Sequence, residues 1–264
     1  MEVVRWLGET KIEVLFLHDH KLLICENNKF STIILNPLIL IIQNMNIITP
    51  TADGSNTLYN ETIGEHYHSK HGALQESKHV FIDAGLKFAS AEKSAISILE
   101  VGFGTGLNFI LSVEYCAQHQ IHLDYTSVEA FPLTVDVINQ TGYSAYVSPA
   151  IWDSFINNYN EALHHPQTLS EYCKLEIPYT TLVNFTTEKR FDLIYYDAFS
   201  VQHQPEMWTN EIIAHTCNFL KPGGIFVTYA ITGNLKRAVK AAGFNIEKLP
   251  GAPGKREMLR AVKI

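Results

Sequence analysis

Ile98-Leu99-Glu100-Val101-Gly102-Phe103-Gly104-Thr105-Gly106-Leu107-Asn108-Phe109 decides how the rest of the chain is read. An apolar run, Ile96 to Val101, ends on three closely spaced glycines, and Leu107 to Gln118 has the composition of a helix. A strand buried on both faces reads as such a continuous apolar run. Glycines follow it because the turn needs positive φ and the backbone must approach a ligand without a Cβ in the way. The segment lacks the Lys-Ser/Thr that completes a phosphate-binding P-loop. Glu100 sits at the strand end, where a carboxylate suits the positively charged methionine end of S-adenosylmethionine (SAM).

Similar units follow. Asp124 to Val128 reads as a second strand ending at Glu129, 23 residues after Gly106. There an acid can accept hydrogen bonds from both ribose hydroxyls, a position that NAD enzymes use as well. Lys174–Ile177 is a candidate third strand. Phe191 to Tyr196 is a clear buried strand that delivers Asp197 to the same sheet edge, where substrates of open α/β sheets bind. Glu211 to Leu220 reads as a helix stopped by Lys221-Pro222-Gly223-Gly224, Ile225 to Tyr229 as a strand, and Leu235 to Ala242 as a helix ended by Gly243. Phe244–Leu249 and Glu257–Lys263 close the chain as an antiparallel hairpin. Strands alternating with helices predict an α/β fold. The expectation is a Rossmann-like class I methyltransferase sheet, mostly parallel and twisted, with helices on both faces.

Bulk properties narrow the class. The 264 residues are 46% hydrophobic, enough for a sizeable core. Cys25, Cys116, Cys173 and Cys217 lie far apart with no metal-ligand spacing, which fits a reducing cytoplasm. Ile33 to Ile42 is broken by Asn36 and Pro37, far short of the ~20 residues that span a bilayer, and reads as a buried strand pair. Residues 1–44 are expected to be an extension dispensable for chemistry, and residues 45–264 the catalytic domain, with Met45 to Asn60 a polar start. The formal charge is −7, yet Lys221–Ile264 has nine basic against two acidic residues and so carries +7, leaving −14 for the remainder. A local basic face can attract phosphates, although such clusters are more often plain solvated surface. His66, His68, His71 and His79 lie close in sequence without a carboxylate or cysteine at ligand spacing, so no metal is expected.

Four segments also resemble the methyltransferase domain of the MnmC type: Gly72-Ala73-Leu74-Gln75-Glu76-Ser77-Lys78-His79-Val80-Phe81, the glycine segment above, Asp197-Ala198-Phe199 with Pro205-Glu206-Met207-Trp208-Thr209, and Gly254-Lys255-Arg256-Glu257-Met258-Leu259. They occur in family order from about residue 50 onward. The resemblance implies a SAM-dependent N-methyltransferase that converts 5-aminomethyl-(2-thio)uridine to its 5-methylaminomethyl form at the tRNA wobble position. It implies a stand-alone enzyme without flavin or metal, with FAD-dependent or GTPase tRNA-modifying proteins acting upstream. Cofactor contacts are implied at Glu100, Gly102, Phe103, Gly104, Thr105, Gly106, Asn108, Glu129 and Asp197. Asp197 would hold the substrate amine and take its proton. Tyr67, Phe199 and Trp208 are candidates to stack on a flipped base, with ordinary core packing equally expected of each. Lys255, Arg256 and Arg260 are candidates for the tRNA backbone. Two departures stand out. Ser200-Val201-Gln202-His203-Gln204 replaces the Ala-Pro-x-x-Asn usual after Asp-Ala-Phe, and the first 44 residues have no family counterpart. Rival readings are an aminopropyltransferase using decarboxylated SAM, an NAD(P)-linked oxidoreductase, and a scaffold without activity. The oligomeric state is left open.

Overall fold

The computed structural model describes residues 46–264 fully and, before them, only the backbone of four strands. These are β1 (Glu2–Leu7), β2 (Thr10–Leu17), β3 (Lys21–Glu26) and β4 (Lys29–Ile34), an antiparallel meander that forms a unit of its own, Met1–Met45. The strand pair expected over Ile33 to Ile42 falls partly on β4, and its remainder lies outside the described residues.

The second unit, Asn46–Ile264, opens with an antiparallel three-stranded sheet, β5 (Asn46–Pro50), β6 (Asn56–Asn60) and β7 (Glu65–His66). The segment read as a polar chain start is thus mostly strand. A helix α1 then begins at Ala73–Ser77, widens into a π-helical stretch over Lys78–Leu86 and ends at Lys87–Ala89.

The main sheet follows. In chain order its strands are β8 (Ala95–Val101), β9 (His122–Val128), β10 (Gln167–Ser170), β11 (Cys173–Glu176), β12 (Phe191–Tyr196), β13 (Leu220–Thr228), β14 (Phe244–Pro250) and β15 (Glu257–Lys263). Their spatial order is β10-β11-β9-β8-β12-β13-β15-β14. β11, β9, β8, β12 and β13 run parallel, and β15 lies antiparallel between β13 and β14. The order reverses between β8 and β12, the place where such sheets open a crevice.

Side-chain alternation splits the core into two layers. Ile96, Ile98, Leu193, Tyr195 and Val227 belong to one, with Phe109 and Ile110 of α2 (Leu107–Gln118) and Phe155 and Tyr159 of α4 (Pro149–Ala162). Leu99, Val101, Ile194, Tyr196 and Phe226 belong to the other, with Ile213 of α5 (Asn210–Cys217) and Leu235 of α6 (Gly233–Ala241). Between α2 and α4 runs the short α3 (Val135–Gln140). The sheet is covered on both faces, which explains the uninterrupted apolar runs of β8 and β12. Among the described residues no helix is long and apolar enough to cross a membrane.

Two boundaries differ from the sequence reading. The helix expected over Glu211 to Leu220 ends at Cys217, and Leu220 already pairs with Phe191. Lys221–Gly224 is a bulge inside β13 rather than a turn before it, because Leu193 next pairs with Ile225. Pro222 has no N–H to give a ladder and Gly223 takes φ 73°, so these residues loop out while the strand resumes.

At the opposite end of β8 from the glycines, Asp192 accepts hydrogen bonds from Ser97 N (2.9 Å), Ser97 Oγ (2.7 Å), Lys221 Nζ (2.9 Å) and Lys93 Nζ (3.0 Å). Burial pushes this carboxyl up, but these donors, Lys221 first, outweigh it and hold it well below the usual carboxylate range. Its stabilising effect is therefore present above the unfolded value of ~3.9 and fades as pH falls below it. Asp192→Asn is expected to cost roughly 2 kcal/mol at pH 7 in urea unfolding, and the deficit should shrink steadily below about pH 4. A deficit independent of pH would contradict this. Deleting residues 1–44 should leave cooperative unfolding of the rest intact by circular dichroism.

Candidate active site

Strand register places two acids on either side of the glycine turn. Val101 pairs with Val128 on one side and Tyr196 on the other, so Gly102 is flanked by Glu129 and Asp197, the residues that leave those strands. Gly102 N donates to Val128 O (3.0 Å) and Asp197 N to Val101 O (3.1 Å), which pins all three strand tips together. Gly102, Gly104 and Gly106 have φ of 86°, 53° and 78°, values that side-chain-bearing residues rarely adopt. A Cβ on Gly102 would lie 2.9 Å from Asp197 O, and one on Gly104 would lie 2.9 Å from Tyr67 Cδ1. Gly106 caps α2, which starts at Leu107.

Glu100 shares a sheet face with Ile96 and Ile98, so it points at α2 and is fully buried. Its carboxylate accepts from Asn108 Nδ2 (3.0 Å) and Ser127 Oγ (2.8 Å). The same Asn108 amide donates to Asp197 Oδ2 at 2.7 Å. Two carboxylates thus share one amide. Burial, reinforced by Asp197, lifts Glu100 to about 8, against the donors on it. Burial and the neighbouring Glu76 lift Asp197 to about 7. Asn108 Oδ1 is buried with no hydrogen-bond partner among the described residues. A paired acid site with an orphaned acceptor is short of a donor and of positive charge, and SAM carries both an ammonium and a sulfonium. Glu129 bridges the Gly104 N–H (3.0 Å) and the Phe131 N–H (2.8 Å), which fixes its carboxylate beside the glycine loop. This donor and acceptor set fits SAM.

Other sequence candidates have different places. The Phe103 ring packs among Phe109, Phe155 and Tyr159, and Thr105 is buried, so the backbone is what Phe103 offers a ligand. Tyr67 meets Phe199 edge-on at 5.0 Å, beside Gly104. Trp208 is 8% exposed, donates Nε1–H to Phe199 O (2.7 Å) and lies edge-on to Tyr196, so core packing takes its ring and its N–H holds the loop after Asp197. Ser200 N donates to Glu65 Oε2 (2.8 Å), and His203 Nδ1 lies 2.9 Å from Ile63 O, so the divergent segment after Asp197 is tied to residues 63–65. Arg260 is bound to Glu247 (2.7 Å), Ala84 O (3.1 Å) and the ring of Phe88. Lys255 is bound to Glu76 (2.6 Å) over the ring of Tyr229. Of the three cations expected at tRNA, Arg256 alone is exposed and has no ion pair among the described residues. His68 is buried at Thr57, His79 Nε2 meets Pro250 O (2.8 Å), and His71 packs on Gly254. Among the described residues no three His, Cys, Asp or Glu groups gather as a metal site.

Sequence reading assigned no role to Ser127, Tyr229 or Glu76. Glu76 lies within the Gly72 to Phe81 segment, one turn before the buried Val80-Phe81, and that proximity to the core was the signal available.

Residues 147–264 match the family model described as S-adenosyl-L-methionine-dependent methyltransferase. With the parallel sheet and the glycine site, this match gives the chain the Rossmann-like fold of SAM-dependent methyltransferases. It is similar to the tRNA 5-methylaminomethyl-2-thiouridine biosynthesis bifunctional proteins MnmC. It is 29% identical over 226 residues to that of Leptospira borgpetersenii, covering 81% of this chain and 33% of the relative. The Chromohalobacter salexigens protein is 30% identical over 225 residues, covering 78% and 31%. The chain therefore spans about a third of the length of these curated relatives. The crystal structure of MNMC2 from Aquifex aeolicus shares the fold, with TM-score 0.65 at 24% identity, covering 83% of this chain and 70% of that one. Neither the aminopropyltransferase nor the oxidoreductase reading is favoured by these matches.

Gly102→Ala should weaken adenosylhomocysteine binding at least tenfold in calorimetry, because the added Cβ meets backbone at Asp197. Gly223→Ala carries the same penalty of positive φ with nothing within 4 Å of its Cβ, and should bind normally.

Proposed function

We propose that residues 45–264 form a tRNA-modifying N-methyltransferase, which moves the methyl group of SAM onto the primary amine of 5-aminomethyl-(2-thio)uridine at the wobble position. The carrying observation is the pair of carboxylates on one amide: Glu100 is fully buried, while Asp197 remains partly open. Glu100 is assigned to the methionine ammonium and Glu129 to the ribose hydroxyls, with the Gly102–Gly106 backbone and Asn108 completing the cradle. When bound, the cofactor supplies an activated methyl group. The protein must bring an uncharged nitrogen to it in line, an orientation worth ~7–11 kcal/mol in favourable cases.

An alkylamine is protonated at neutral pH, with a pKa near ~10.4. Asp197, at about 7 rather than 3.8, is a much better acceptor for that proton than an ordinary aspartate. The transfer is then roughly 4 kcal/mol less uphill than to a carboxylate in water. Asp197 would take one proton from the entering ammonium, and the freed lone pair would bond to the methyl carbon as the bond from that carbon to sulfur breaks and a neutral thioether leaves. The nitrogen, now carrying one methyl, is again cationic and faces the acidic site until release. The relatives' name supports tRNA as substrate. Arg256 and the rings of Tyr67 and Phe199 are the groups suited to its backbone and base. An enzyme that installs the aminomethyl group must act before this one, and the setting is the cytoplasm.

Tritiated SAM should label tRNA bearing 5-aminomethyluridine, with 5-methylaminomethyluridine found on nucleoside analysis. Asp197→Asn should lower kcat by about 10²–10⁴ while adenosylhomocysteine affinity changes only a fewfold. Turnover at the wild-type rate in that variant would remove Asp197 from the chemistry.

A further inference from the structure

The basic residue of the closing hairpin that the sequence assigned to a phosphate contact sits inside the site. Lys255 lies on a turn that admits little variation. A Cβ on Gly251 would meet Lys255 O at 2.4 Å, and Gly254, at φ 86°, is packed on the His71 ring. This turn presents Lys255 Nζ to Glu76 Oε1 (2.6 Å) and to the face of Tyr229, 3.7 Å from its centroid. Both anchors are themselves fixed. Glu76 has a side chain 7% exposed and accepts from Ser69 N (2.8 Å), and the Tyr229 hydroxyl donates to Ala198 O (2.9 Å), next to Asp197. An ammonium clamped by a nearly buried carboxylate and an aromatic face has little freedom to reach a phosphate outside.

We propose that Lys255, clamped by Glu76 and Tyr229, is a positioning residue whose fixed positive charge offsets the carboxylates around Asp197 and makes a second ammonium beside it unfavourable, so that the substrate amine gives up its proton. The idea rests on the amine-methylating reading above. The charged and titratable groups that face Asp197 are Glu100 from β8, Tyr125 from β9, Glu76 from α1, Tyr229 after β13 and Lys255 from the hairpin turn; Lys255 is the one cation among them and, after the hydrogen bond from Asn108, acts to lower Asp197. Buried His68 feels both members of the clamp and is held neutral, lowered to about 4 by burial, so it does not substitute for the lysine.

The sign is definite. Without Lys255 the carboxyl holds its proton to higher pH, and the acid limb of kcat/KM moves alkaline. Removing a nearby opposite charge shifts such a group by on the order of one pH unit.

The test uses the full chain without cofactor. Side-chain carboxyl carbons of aspartate, labelled with carbon-13, are titrated by NMR, and Asp197→Asn assigns the signal. Lys255→Met and Lys255→Gln should each raise the Asp197 midpoint by about one unit. Lys255→Arg should restore it, with the pH profile of methyl transfer following the same order. Lys255→Gln retains a donor toward Glu76 and serves if the Met variant does not fold. An unmoved midpoint in the folded variants overturns the proposal. So does a loss confined to KM for tRNA with a flattened salt dependence, the mark of a phosphate contact. If the wild-type enzyme transfers no methyl to the aminomethyl nucleoside, the substrate reading falls, while the NMR midpoint still decides the role of Lys255.

Discussion

The side-chain amide of Asn108 donates to two carboxylates at once, and the site is organised around that bridge. Glu100 and Asp197 come from neighbouring parallel strands, and their mutual repulsion in a buried setting would drive them apart or neutralise one. The amide at 3.0 and 2.7 Å lowers that cost enough for both to remain, yet not enough to keep both fully ionised at neutral pH. A cationic ligand relieves what is left. Nothing in this requires the acids to move; the requirement is met by binding.

The bridge depends in turn on register. Glu100 lies opposite Tyr195 on one side and Ser127 on the other, so its carboxylate has Ser127 Oγ within reach and Asp197 two positions beyond its partner. A slip of one residue would turn Glu100 to the other face, among Leu99 and Val101 and away from α2. The apolar runs of β8 and β12, packed on both faces, resist such a slip. Large aromatic side chains on α2 and α4 against β9 and β12 fix the helix height that sets Asn108.

This logic decides what was readable beforehand. Leu107–Gln118 and Phe191–Tyr196 were recoverable to the residue, because glycine, proline and unbroken apolar runs are local signals. The bulge at Lys221–Gly224 was not, since a Lys-Pro-Gly-Gly looks the same whether it ends a helix or loops out of a strand that resumes. The acids at strand ends were legible by position, and the roles of their neighbours were not. Glu76 and Lys255 stand 179 residues apart, and only the folded chain brings them together. Trp208 shows the other limit: an aromatic beside a catalytic loop has the same sequence signature whether it stacks on a ligand or holds the loop from behind.

Charge is where local counting misleads most. The +7 segment does not form one basic surface. Arg260 is matched by Glu247, Lys248 lies 3.7 Å from Glu257, Lys221 serves Asp192, and Lys263 Nζ donates to the carbonyls of Cys217 and Leu220. Lys255 is turned inward to Glu76. Among the described residues, those of the segment that are exposed and have no ion pair are Arg256 on the hairpin turn and, on α6, Lys240 and Arg237, the last hydrogen-bonded to Asn234 Oδ1. A polyanion approaching this side therefore meets a few separated cations instead of a broad positive field. Attraction of that kind orients more than it binds, and it leaves discrimination to the groups around Asp197.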